Sequence, residues 1–104
     1  AWAMSDQTLA TLKQIPAVEL GGPGSPETEQ CSNAAIAALS EAAGTEFRLT
    51  SLSLDVASHA MGVGMVELAT KIDKRAKSIV FASVEARMGA SLVFSAQGLF
   101  RLVR

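Results

Sequence analysis

Cys31-Ser32-Asn33-Ala34-Ala35-Ile36-Ala37-Ala38-Leu39-Ser40-Glu41-Ala42-Ala43-Gly44 is the stretch that decides the fold. Six of its first thirteen residues are alanine, the best helix former, and Gly44 supplies a natural stop. Upstream, Ser25 can act as N-cap, Pro26 suits the first helical position, and Glu27 and Glu29 favour the positive end of the helix dipole. The reading is a helix from Ser25 to Gly44. Small residues lie on nearly all its sides, so it is slim. A one-sided surface helix would carry more charge on its outer face. The expectation is therefore an embedded helix with a sheet wrapped around it.

Downstream of the helix the pattern changes to period two. Leu52, Leu54 and Val56 alternate, and so do Val66, Leu68 and Ile72. Val80, Ala82, Val84 and Ala86 mark a third strand; Leu92, Phe94, Ala96, Phe100 and Leu102 mark a fourth. Breaks are expected at 58–62, at Asp73-Lys74-Arg75-Ala76-Lys77, and at Met88-Gly89, where two residues suffice for a hairpin. Strands that follow one another without intervening helices predict a four-strand antiparallel meander. Upstream, Ser5 or Asp6 would cap a short helix over residues 5–14, ended by Pro16. Ile15 to Leu20 reads as a short edge strand, and Gly21-Gly22-Pro23-Gly24-Ser25-Pro26 as a dense turn. The fold class is α+β, in one domain spanning residues 1–104, with residues 1–4 read as an extension.

Composition narrows the function classes. The 104 residues are 49% hydrophobic and 18% charged, a globular balance. Nine Lys and Arg against ten Asp and Glu give a net charge of -1, which argues against nucleic acid as partner. The longest apolar run, Ala34 to Leu39, falls far short of the roughly 20 residues that span a bilayer, so no membrane partner is expected. Cys31 is the sole cysteine and His59 the sole histidine, which leaves no disulfide framework and no multi-histidine metal site. A reducing, cytoplasmic setting follows as the expectation. Apolar residues recur on both sheet faces in places, as at Ile79, Phe81 and Val93, so a subunit interface is expected.

Among the charged residues Glu41 stands out. It falls in the last turn of the helix, where the dipole disfavours negative charge. Its neighbours three and four residues away are Ala37, Ala38, Gly44 and Thr45, none of them basic. Either it points to water, or it sits in small apolar surroundings that raise its pKa and make its anion more reactive. Cys31 has no histidine near it in sequence and reads as a small buried residue.

The segment from Ser32 to Thr45 resembles the helix of hotdog-fold acyl-CoA thioesterases of the phenylacetate-pathway type. In that family a His-Gly-Gly-like start precedes a small-residue helix, with an acidic residue about two turns on. The likeness extends over residues 28–104: a strand from Phe47 to Val56, a turn ending at Gly62, a strand from Met65 to Ile72, the basic turn, and two long strands. It implies a hotdog fold, with a long central helix swaddled by a curved antiparallel sheet. It also implies hydrolysis of an acyl-CoA-like thioester at a dimer interface. Carried over by position, Glu41 falls on the catalytic carboxylate, Thr45 on a hydroxyl that places the attacking water, and Asn33 on the helix-start amide that polarises the carbonyl. Ser32-Asn33-Ala34 stands where the family has His-Gly-Gly. The second reading is therefore a non-catalytic hotdog protein that binds an acyl ligand or a protein. Lys74, Arg75 and Lys77 form either a solvated turn or a contact for the nucleotide phosphates of coenzyme A. Met61, Met65, Phe81 and Phe94 either line an acyl pocket or belong to the core. The expected assembly is a homo-oligomer, dimer or dimer of dimers, with no cofactor and no metal.

Overall fold

The structure, a computed structural model, describes residues 9–103. The elements run β1 (Leu9–Pro16), a 3-10 turn (Ala17–Leu20), α1 (Thr28–Ala43), β2 (Phe47–Val56), β3 (Met65–Arg75), β4 (Ile79–Met88) and β5 (Ser91–Leu102). The five strands form one antiparallel sheet in the order β1-β3-β4-β5-β2. Only β3, β4 and β5 make a meander. The four-strand meander expected from the sequence fails at β2, which crosses over and pairs with β5, Phe47 opposite Leu102 and Val56 opposite Phe94. The short helix expected over residues 5–14 is also corrected. Residues 5–8 lie outside the described residues, and Leu9–Gln14 is strand, held on β3 with Leu12 opposite Ala69 and Ile15 opposite Val66. Ladder pairing over seven positions outweighs a weak helical preference. The expected strand from Ile15 to Leu20 gives way at Ala17 to the 3-10 turn.

Helix α1 begins at Thr28 with Glu27 as N-cap, two residues later than Ser25 and Pro26 predict. The cause is what precedes it. Gly24 exchanges two backbone hydrogen bonds with Met61, and the Glu27 N–H donates to the Leu20 carbonyl, which together keep residues 24–27 out of the helix. The helix ends as expected at Gly44, whose φ of 107° lies where a side chain would be strained.

One face of α1 lies on the sheet. Cys31, Ala35, Ala38, Leu39 and Ala43 are buried, spaced as one helical stripe, against Val66, Leu68, Val84, Phe94 and Phe100 of the inner sheet face. Small residues at Ala82, Ala96 and Gly98 let the slim helix approach closely. A Cβ on Gly98 would sit 3.1 to 3.2 Å from side-chain carbons of Leu49, Phe100 and Leu39, so the glycine makes the slot that Leu39 fills. Burying such a leucine stabilises by about 2 kcal/mol. The opposite face, with Asn33, Ala37 and Glu41, is exposed. Within one chain the helix is embedded on one side only.

Candidate functional site

Glu41 occupies the outward flank of the last full turn of α1. Lys13 projects from the inner face of β1, opposite the buried Leu68, and its Nζ lies 3.7 Å from Glu41 Oε1. The two side chains are 49% and 59% exposed. Of the two alternatives for Glu41, the apolar surroundings are the one the structure does not show: the side chain is exposed, and its basic partner comes from another element, not from the helix. Only the strand reading of Leu9–Pro16, with Thr11, Lys13 and Ile15 on one face, carries that signal in the sequence.

Thr45 lies beyond the helix end, exposed in the turn between Gly44 and Phe47. It does not continue the helical face of Glu41, because Gly44 redirects the chain. Asn33 is exposed in the second turn of α1. Its backbone N–H lies within the helical hydrogen-bond ladder, so the backbone donor placed there by the family likeness is spent, and its side-chain amide is what it can offer. The amides left free by the helix start are those of Thr28, Glu29 and Gln30. At about 1.5 Å per residue, Gln30 and Glu41 stand roughly 16 Å apart along the axis.

Lys74, Arg75 and Lys77 do not form one basic turn. β3 runs through a bulge between Ile72 and Lys74 and ends only at Arg75, so the break falls at residues 76–78. Lys74 and Arg75 then face opposite sides of the sheet. Arg75 points inward and donates from Nη1 to the Ala43 carbonyl at 3.4 Å and from Nη2 to the Ala42 carbonyl at 3.3 Å. Its guanidinium also lies 5.8 Å from the Phe47 ring centroid. It therefore caps the negative end of α1 and pins that end to β2 and β3. Lys74 and Lys77 are exposed.

Met61 and Phe94 are core residues, whereas Met65 and Phe81 are exposed. His59 is exposed in the loop after β2. The Cys31 thiol is buried, and desolvation pushes its pKa up from the usual 9.0, which suits a core residue and not a nucleophile. An open groove of about 440 Å³ runs along the outer sheet face, over Ser53, Asp55, Lys71, Ser83, Glu85 and Gln97. A smaller apolar dimple of about 100 Å³ lies among Pro16, Val18, Pro23 and Val63. Neither reaches Glu41. Among the described residues no helix is long and apolar enough to cross a membrane.

No protein-family model matches the chain, and no curated protein matches its sequence. Solved structures do match. A Staphylococcus aureus thioesterase enzyme superposes with a TM-score of 0.75 at 13% identity, covering 95% of this chain and 94% of its own. The E. coli PaaI protein of the phenylacetic acid degradation operon gives 0.72 at 14%, over 89% and 70%. A hypothetical thioesterase of Streptococcus pneumoniae, solved with coenzyme A, gives 0.70 at 7%, over 88% and 75%. At such identities the likeness is one of fold. One long helix laid on a curved five-stranded antiparallel sheet, in the arrangement these solved structures share, is the hotdog fold, and that is the fold of this chain.

Proposed function

We propose that this protein hydrolyses an acyl-CoA-like thioester, with the Glu41 carboxylate as general base or nucleophile and the Thr45 hydroxyl helping to place water. The observation that carries this reading is a surface carboxylate on the central helix of a hotdog fold, at the position the family likeness gives to the catalytic acid. A thioester carbonyl needs a donor and a nucleophile within a few ångströms of its carbon. The free amides of one helix start and the Glu41 of the same helix are too far apart for that. A second copy of the chain would supply the missing half. Of the two sheet margins, β2 is the one open to pairing. Between Arg48 and Asp55 it carries no charge and no proline, and its Leu49, Leu52 and Leu54 are half-buried. β1 is guarded by Lys13 and Pro16.

A second reading, binding of an acyl ligand without turnover, has a specific observation in its favour. Glu41 leans toward β1, the margin opposite β2, and is neutralised there by Lys13. Thiol release over a panel of acyl-CoAs separates the two. Turnover above the uncatalysed rate supports the enzyme. Saturable binding of coenzyme A thioesters without thiol release supports the binding protein.

A further inference from the structure

The end of α1 is held from outside the helix. An α-helix leaves its last four carbonyls without helical partners, here those of Ser40, Glu41, Ala42 and Ala43. The Gly44 N–H serves the first, donating to the Ser40 carbonyl at 3.0 Å. No backbone N–H among the described residues reaches the other three. Gly44 leaves the helix at a ψ of 158°, not in the left-handed turn that folds the following N–H groups back onto such carbonyls. Nor does the last turn carry a basic residue of its own. Arg75, 32 residues beyond Ala43, supplies what is missing. Its guanidinium donates to the Ala42 and Ala43 carbonyls and lies over the ring of Phe47, itself packed against the core. The bulge in β3 makes this reach possible. Ile72 and Arg75 are three residues apart, and strict alternation would set them on opposite faces of the sheet. The extra residue between Ile72 and Lys74 brings Arg75 to the helix side, opposite the buried Val80. Bulges commonly re-aim a side chain in this way.

We propose that Arg75 is a positioning residue for Glu41: by closing the last turn of α1 from β3, it fixes where the carboxylate stands against a bound thioester. This role rests on the catalytic reading of Glu41. Arg75 holds the carbonyl of Ala42, the very next residue, so the backbone that carries the carboxylate is clamped one residue away. The ion pair with Lys13 cannot do this by itself. At 3.7 Å between two half-exposed side chains it tolerates many geometries. A helix end without partners opens locally at little cost, and a carboxylate on it moves with the backbone. A misplacement of about 1 Å can cost on the order of 10²-fold in rate, even when its cause lies away from the chemistry. The guanidinium also offsets the negative end of the helix dipole, to which Glu41 adds a further negative charge.

The test compares thiol release from an acyl-CoA, and amide hydrogen exchange, in the wild type, Arg75→Met, Glu41→Gln and the double variant. Arg75→Met should lower kcat by about 10-fold or more, with KM nearly unchanged. In the Glu41→Gln background the same change should have no further effect, because a residue that acts through the carboxylate is silent once the carboxylate is gone. A merely structural loss would lower both backgrounds alike. The Gly44 amide reads the last turn without any substrate, and it should exchange several-fold faster in Arg75→Met than in the wild type. Arg75→Lys keeps the charge but not the fork, should give an intermediate kcat, and stands in for Arg75→Met if that variant does not fold. Wild-type kcat in Arg75→Met while Glu41→Gln is impaired overturns the positioning role alone. So does an equal loss in both backgrounds, or unchanged exchange at Gly44. Wild-type turnover in Glu41→Gln, or a wild type that releases no thiol, overturns the catalytic reading first and the positioning role with it.

Discussion

Replacing Glu41 by glutamine removes a charge while keeping shape, and the structure sets the size of its two consequences apart. The Lys13–Glu41 pair is half exposed at 3.7 Å, a geometry whose measured worth is about 0–1 kcal/mol once solvent screening is counted. The helix dipole at that position even favours loss of the charge. Glu41→Gln should therefore shift the urea midpoint little, and Tm by no more than about 8 °C for a chain of this length. Loss of a general base costs at least about 10²-fold in turnover, equivalent to about 2.7 kcal/mol in the barrier. KM should change little, since the carboxylate acts mainly in the transition state. Thiol release from an acyl-CoA and urea unfolding, run on the same preparations, read both quantities. Lys13→Ala is the control: it breaks the ion pair but keeps the carboxylate, and should hold turnover within a few-fold of wild type. Wild-type turnover in Glu41→Gln refutes the assignment. So does an equal loss in Lys13→Ala, which would trace the effect to the pair and not to the chemistry.

Thr70 is fully buried, and its Oγ1 has no hydrogen-bond partner among the described residues. Thr70→Val keeps the shape, removes an unsatisfied hydroxyl and should raise stability by about 1–2 kcal/mol in urea unfolding; a loss would mean that the hydroxyl is satisfied in solution. Ala38→Leu should cost about 1–3 kcal/mol by overpacking the helix–sheet contact, whereas Ala37→Leu on the exposed face should melt close to wild type. Burial raises the Cys31 pKa, so the unfolded thiol ionises first and stability should fall as pH rises past about 9, being fully present below it. Unfolding midpoints between pH 7 and 10, compared with Cys31→Ala, check that slope; identical slopes would contradict it.

Local signals were enough for the parts of this fold that are local. β4 and β5 each bury every second residue along most of their length, and the turn between them at Gly89-Ala90 sits one residue from where Met88-Gly89 placed it. The helix followed from its alanines and Gly44. What escaped was decided at a distance. β2 chooses β5 over β3, and no residue within Phe47–Val56 announces that choice. The helix start moved because Met61, far along the chain, pairs with Gly24. The same holds for the site. Glu41 was visible on helical spacing, but Lys13 reaches it from β1, and Arg75 acts through carbonyls of α1 that no motif marks. Reading Leu9–Gln14 as helix hid Lys13, since helical spacing scatters the residues that a strand aligns.

The crossover that sets β2 beside β5 also orders events during synthesis. β3 can pair with β1 and β4 as each emerges, but β2 has no neighbour in the sheet until β5, the last of the five strands, is made. At about 5–20 residues per second, the stretch from Val56 to Leu102 takes roughly 2–9 s. Through that interval Leu49, Leu52 and Leu54 lack their backbone partner, and Leu39 lacks the slot that Gly98 provides. The nascent chain thus presents a sticky, partnerless strand for seconds while its other margin is already assembled. A ribosome stalled before Ser91 holds a chain whose helix has only the β1-β3-β4 part of its floor to lie on, with the apolar side chains of β2 still unpaired.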